Sequence, residues 1–274
     1  MSEVLDLSFG NCDPSSVISR YFPSVQNVDQ NFVNQFLQIQ DNLNECLSKN
    51  DFLKPPVKYI YNPTEYASKT NQIYIKKYCT GPKKILFIGM NPGPFGMCQT
   101  GVPFGDTYWV KNWLQIDGEV LKPLKECPNR PIFGFQCTRK EQSGDRFWNL
   151  FSELCTDPEK FFNCAFVYNY CPLAFMDGTG RNLTPADIKE RKNLELICDK
   201  YYHEVLKLLQ PEVIVAVGDY MEKRTKAVFK VYEFTNSIKL FRMPHPSPRA
   251  VNNQNWSEKA KRFLEQHNLM EFIL

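Results

Sequence analysis

The sequence predicts a three-layer α/β/α fold, with a central four-stranded parallel sheet between helices and further helices at the N-terminus. Two observations predict it. Short apolar runs rich in β-formers alternate with longer segments of helical periodicity, as strand–helix–strand units do. Those runs are continuously apolar, as strands are when both faces are covered. With 274 residues, 43% hydrophobic and 14% aromatic, the chain can bury a sizeable core within one α/β domain.

Residues 1–28 are polar and turn-rich and are expected to be disordered or loosely packed, leaving a single domain over 29–274. From Asp29 to Lys49, Phe32, Phe36, Leu43 and Leu47 recur at roughly helical spacing. VKYIYNP (57–63) reads as a short strand closed by a turn, and EYASKTNQIYIKKYC (65–79) as a second helix. KKILFIGM (83–90), bounded by Gly-Pro, is the first main strand. After a helix in GDRFWNLFSELC (144–155), FFNCAFVYNYCP (161–172) is the second. Thr184, Pro185 and Asp187 read as an N-cap, a proline at the first helical position and an acid at the third, opening a helix to about Leu209. PEVIVAVG (211–218) is the third main strand, followed by a helix from Asp219. SIKLFRM (237–243) is the fourth, and a last helix runs from about Asn255 to Glu265.

Several classes fall away on composition. There is neither an apolar run of about 18 residues nor a signal-peptide pattern, so a membrane-spanning or secreted protein is not expected. None of the ten cysteines forms a C-x-x-C pair, and Cys164, Cys171 and Cys198 lie in apolar stretches. They read as reduced, buried thiols of an intracellular protein rather than a disulfide or metal framework. Only three histidines are present, and a multi-histidine site would need His203 and His267 on distant helices, so no metal and no cofactor are expected. The net charge of +3 and pI near 8.2 permit a polyanionic partner without demanding one.

Ligands of open parallel sheets bind beyond the carboxyl ends of the strands. The first main strand ends on Met90-Asn91-Pro92-Gly93-Pro94-Phe95, the second on Asn169-Tyr170-Cys171-Pro172, and the fourth on Pro244-His245-Pro246-Ser247-Pro248-Arg249. Two asparagines and a histidine thus reach one edge, each followed by a proline that stiffens the chain as it leaves the sheet. Each has a plainer reading alone: a tight strand-to-helix turn at Asn91, a loop-satisfying amide at Asn169, a hydrogen-bonded turn histidine at 245. The loop matches neither G-x-G-x-x-G nor a P-loop, which argues against a nucleotide phosphate cradle. Their joint occurrence at three strand ends favours a rigid polar pocket.

GMNPGPFGMCQTGVPFGD, NYCPLAF, GRNLTP and HPSPR, in this order across roughly Lys83 to Trp256, resemble the uracil-DNA glycosylase superfamily, in particular its single-strand-selective monofunctional group. The first motif is long and specific; HPSPR alone is only suggestive, and the N-terminal region carries no clear match. The resemblance implies the parallel four-stranded sheet derived above, and DNA as partner: a base flipped from the stack, its glycosidic bond hydrolysed and an abasic site left. It implies Asn169 reading the pyrimidine edge, Phe104 stacking on the base, His245 donating to O2 of the leaving anion and Asn91 holding the water. Common members carry an aspartate at the place of Asn91; an amide cannot act as a base at neutral pH, so water is positioned rather than activated. Asp106 is the nearest carboxylate in sequence and stands as a reserve.

Where common members carry a tyrosine against pyrimidine C5, this chain has Gly93, which implies acceptance of 5-hydroxymethyluracil and other oxidised uracils. Met90 and Gly93 would offer backbone contacts to the base. Pro246, Ser247, Pro248 and Arg249 correspond to a wedge that enters DNA, although Arg249 also reads as a solvated residue before a helix. No motif loop supplies a lysine nucleophile, so strand cleavage is not expected. A monomer working in the nucleus, on single-stranded and duplex DNA, completes the expectation. Two rivals remain: a relative preferring G·T mismatches or hypoxanthine, and a non-catalytic α/β module that binds nucleic acid.

Overall fold

Four parallel strands of five residues each carry the molecule, and their sequences explain why. ILFIG, AFVYN and VIVAV are buried at every position, as strands covered on both faces must be, whereas KLFRM closes one edge and is partly exposed. The computed structural model describes residues 30–234, 237–250 and 253–273, so the expected polar segment 1–28 lies outside the described residues. The elements up to the central loop are α1 (Gln30–Ser48), β1 (Tyr59–Tyr61), α2 (Pro63–Tyr66), α3 (Ser68–Tyr78), β2 (Ile85–Gly89), α4 (Met97–Thr100) and α5 (Thr107–Asn112). Then come α6 (Gln142–Leu154), α7 (Pro158–Cys164), β3 (Ala165–Asn169), β4 (Ala174–Met176) and β5 (Asn182–Leu183). The chain continues with α8 (Arg191–Leu209), β6 (Val213–Val217), α9 (Asp219–Val231), β7 (Lys239–Met243), α10 (Trp256–Gln266) and α11 (Met270–Ile273).

The main sheet has the order β3-β2-β6-β7, all parallel, with Ile85 opposite Ala165 and Val213, and Val213 opposite Lys239. Alternation along the strands divides the core into two layers. On one face Phe87 packs its ring against Phe147 and Phe151 of α6 and Phe161 of α7. On the other, Phe166 and Tyr168 of β3 meet Phe36 of α1 edge-on at 5.6 and 5.5 Å, and Tyr74 of α3 stacks on Phe166. The first helix is therefore part of the core. The register puts Gly89 beside Asn169, so both face the α6 side, and this becomes important at the site.

Several sequence expectations give way. The run FFNC is helical: the Asp157 side chain accepts from the Glu159 N–H at 2.9 Å, Pro158 opens α7, and β3 starts only at Ala165. An apolar helix turn running straight into an apolar strand has no boundary that periodicity can find. Residues 65–79 form two helices broken at Ala67. The strand expected in 57–63 is present as Tyr59–Tyr61; it stands outside the main sheet and pairs antiparallel with β4, which pairs with β5, strands of three and two residues that are too short to show a periodic pattern. The Thr184–Asp187 capping box is present but closes a single 3₁₀ turn, after which Ile188 is extended and α8 begins at Arg191. The nine described cysteines are all free, and Cys171 and Cys198 are buried as expected, while Cys164 is half-buried. Among the described residues no helix is long and apolar enough to cross a membrane.

Candidate active site

The three strand ends lie along one edge of the sheet, and the order of strands sets a problem of distance. Asn169 ends β3 and His245 follows β7, three strand spacings or roughly 14 Å away. Two glycines bridge the span. A Cβ on Gly89, at the end of β2, would lie 2.3 Å from Asn169 Oδ1 and 3.0 Å from the Phe104 ring. A Cβ on Gly218, at the end of β6 with φ +93°, would lie 3.3 Å from His245 Cβ. Where the two central strands stop, side chains are missing, and those of the outer strands fold inward over the gap. Phe104 and His245 then stand 6.3 Å apart by ring centroid.

Each group is held. The Asn169 side chain is 5% exposed, and its Nδ2 donates to Met97 Sδ at 3.2 Å, which turns Oδ1 toward Gly89 and Phe104. Phe104 stacks on Phe147 at 4.6 Å with the planes 10° apart, and its φ of 52° is a left-handed backbone that a bulky residue adopts only under constraint. Gly144 makes that constraint possible, because a Cβ there would meet the Phe104 carbonyl oxygen at 2.0 Å. Asn91 is half-buried and donates from Nδ2 to the Leu173 carbonyl at 3.3 Å, and its Oδ1 has no hydrogen-bond donor among the described residues. Met90 and Gly93 are half-buried beside it, and Cys171 N–H donates to the Met90 carbonyl at 2.9 Å.

His245 settles a question the sequence left open. Its Nδ1 accepts from the Ser247 N–H at 3.1 Å, so the ring proton belongs on Nε2. Burial pushes its pKa down to about 4, and the imidazole is neutral at physiological pH. The surrounding prolines cannot donate, and the carbonyls of the segment are capped from outside. Trp256 Nε1 donates to Pro244 O at 2.7 Å, Asn253 Nδ2 to both His245 O and Ser247 O at 2.8 Å, and Arg146 to Pro246 O at 3.3 Å. Pro246 is buried, while Pro248 and Arg249 stand exposed, with the Arg249 N–H on Ser247 Oγ at 3.2 Å. Among the described residues no cluster of His, Cys, Asp and Glu is arranged to hold a metal ion.

A family model described as the Uracil DNA glycosylase superfamily matches residues 75–268. The chain belongs to that superfamily. A mouse protein named single-strand selective monofunctional uracil DNA glycosylase is 40% identical over 264 residues, which cover 95% of this chain and 92% of the mouse protein. A rat protein of the same name is 43% identical over 241 residues, covering 87% of this chain and 86% of its own. The crystal structure of SMUG2 from Pedobacter heparinus superposes with a TM-score of 0.60 at 21% identity, covering 86% of this chain and 98% of that one. Its likeness carries the fold, a parallel four-stranded sheet between helices.

The structure sets Phe104, Asn169 and His245 around the ends of the two central strands, with Pro246–Arg249 following the histidine, and keeps Met90, Asn91 and Gly93 in the loop that leaves β2. It also corrects one expectation. Asp106, held in reserve, spends both oxygens on structure: Oδ1 caps α5 at the Tyr108 N–H (3.1 Å) and Oδ2 accepts from the Glu141 N–H (2.9 Å). The carboxyl group beside Gly93 is that of Glu141, with Oε2 only 2.6 Å from where a Gly93 Cβ would be. Burial raises the pKa of both acids. Glu141, Met97, Asn253, Trp256 and Arg146 were invisible to the sequence reading. They lie outside the strand-end motifs or, like Met97, carry no distinguishing pattern within them.

Proposed function

We propose that this protein is a monofunctional DNA glycosylase that releases uracil, and oxidised uracils such as 5-hydroxymethyluracil, from single-stranded and duplex DNA in the nucleus. The observation that carries the reading is the convergence of a locked amide, an aromatic ring on a left-handed backbone and a neutral imidazole over the ends of the two central strands. An extruded pyrimidine stacks on Phe104, a contact worth roughly 1–3 kcal/mol per base. Asn169 Oδ1 accepts from N3–H while its second Nδ2 hydrogen donates to O4. Cytosine offers the opposite pattern, and an amide tied to Met97 cannot turn to meet it, so the wrong base leaves buried groups unpaired.

As the glycosidic bond lengthens, charge collects on O2, where the Nε2–H of neutral His245 donates. A preorganised donor of this kind acts most strongly in a site that excludes water. The Oδ1 of Asn91 holds a water against the anomeric carbon without deprotonating it. Arg249 and its flanking prolines fill the gap left in the duplex. Bond breaking therefore runs ahead of nucleophilic attack, and the released base departs as an anion. Lys140, adjacent to Glu141, is engaged by Asp145 at 2.9 Å and is not poised to form a Schiff base.

The test is an assay of purified protein on oligonucleotides bearing uracil, 5-hydroxymethyluracil or thymine, with EDTA present and with or without hot alkali. Release of uracil and 5-hydroxymethyluracil, with strand breaks only after alkali, is the expected result. Loss of activity in EDTA, or breaks without alkali, overturns the proposal.

A further inference from the structure

Phe95 is a half-buried ring that the chemistry of base release does not use. It follows Asn91 by four residues, so their Cα atoms lie within about 14 Å of one another. Two guanidinium groups sit over this ring, that of Arg139 at 4.0 Å from its centroid and that of Arg130 at 5.2 Å. They come from opposite sides of the 3₁₀ turn Gly134–Gln136, so it is the fold that brings two like charges to one ring. The carboxylates of these segments are committed elsewhere. Glu126 pairs with Lys122 at 3.1 Å and accepts from the Ile132 N–H at 2.7 Å. Asp145 holds Lys140 and the Trp109 indole, each at 2.9 Å. Asp106 and Glu141 accept from backbone N–H groups. Neither arginine forms an ion pair among the described residues. Arg130 Nη1 donates to Asn129 O at 2.7 Å, its buried Nε finds no acceptor, and Arg139 stands exposed.

We propose that Arg130 and Arg139, ordered on the Phe95 ring, form a site for a backbone phosphate of the DNA strand close to the extruded nucleotide. Two guanidinium groups on one ring repel each other, and the negative ring face offsets only part of that repulsion. An anion completes the arrangement. A phosphodiester is the anion the substrate brings, one about every 3.4 Å along each strand, and its oxygens match the forked donors of a guanidinium. The inference rests on the reading above, in which the nucleotide enters beside Asn91. Arg249 follows β7 at one edge of the sheet, whereas this pair attaches to the loop that leaves β2, so the strand is held at two separated points. A phosphate contact of this kind fixes position without reading sequence.

The experiment measures binding of single-stranded oligonucleotides carrying a tetrahydrofuran abasic analogue, over about 50–200 mM salt, by the wild type, Arg139→Gln, Arg130→Gln and the double variant. Each substitution is expected to weaken binding by about two- to fivefold, the scale of an exposed ion pair, and to lower the slope of log affinity against log salt by about 0.7. The loss should be the same whatever the flanking sequence. In the wild type, neutral methylphosphonates placed one at a time around the lesion should weaken binding at one or two positions, and those positions should lose their effect in the double variant. The wild-type scan and the exposed Arg139→Gln stand even where Arg130→Gln fails to fold. A salt slope that Arg139→Gln leaves unmoved, methylphosphonates without effect on the wild type, or effects that persist in the double variant each overturn the proposal. A wild type that shows the expected slopes yet releases no uracil from a uracil-bearing strand overturns the preceding reading and not the phosphate site.

Discussion

The loop after β2 and the segment after β7 solve one problem in opposite ways. Both must hold a polar side chain rigidly where the sheet ends. Residues 90–106 bend through glycines around a side chain from elsewhere: Glu141 fills the hollow beside Gly93 and Gly96, while the loop's own Gln99 is wholly buried, donating to Pro94 O and Pro131 O and accepting from the Phe133 N–H. Residues 244–249 are stiffened by their own prolines, and external donors then satisfy the carbonyls that proline leaves unpaired. The first is shaped by what it encloses and the second by its own covalent chemistry. Substitutions at the support should therefore misplace the first loop and merely loosen the second.

The largest expected effect comes from the side chains that the two segments present. His245→Ala and Asn91→Ala should each slow base release by about 10²–10³-fold while DNA binding persists. Single-turnover kinetics beside a binding isotherm measure both. Near-normal rates in either variant would remove that residue from the mechanism.

Next comes the collision that defines the first loop. Gly93→Ala places a methyl group 2.6 Å from the Glu141 carboxyl, so either the loop or that carboxyl must shift. We expect an activity loss of about tenfold or more, consistent with the 1–3 kcal/mol typical of overpacking. In a Glu141→Ala background the same change should cost much less, a coupling that a double-mutant cycle reads directly. Gly93→Tyr should lower release of 5-hydroxymethyluracil more than that of uracil. Additive losses in the cycle would show that the loop is not built around Glu141.

The second segment should respond more mildly. Asn253→Ala removes donors from two carbonyls and should lower stability by about 1–3 kcal/mol, visible as a fall in Tm, with release slowed less than by His245→Ala. An equal loss of activity would mean that prolines do not suffice to hold the histidine.

The smallest effect concerns a proton. His245 should remain neutral, protonated on Nε2, until the pH approaches about 4, rather than titrating at the ordinary 6.5. Because the folded pKa is lowered, the unfolded chain takes up a proton that the folded chain refuses. Stability from this residue is present above about 6.5 and is lost as pH falls from there toward 4. Nitrogen chemical shifts of the imidazole across pH 4–8 test this, and a midpoint near 6.5 would contradict the structure.

The main strands, the alternation of helices and the three polar strand ends were legible in the sequence by themselves. Each follows from local rules: apolar runs, proline and glycine punctuation, and the side-chain chemistry of Asn91, Asn169 and His245. Tertiary structure alone decided where FFNC stops being helix and where the strand of 57–63 finds its partners, because both depend on neighbours distant in sequence. It decided, too, that His245 is neutral, because burial is a property of the assembled pocket. The same holds for the role of Gly93. A glycine in a sequence marks only a missing side chain; what stands in the vacated volume is set by the fold, which brings Glu141 there from 48 positions away.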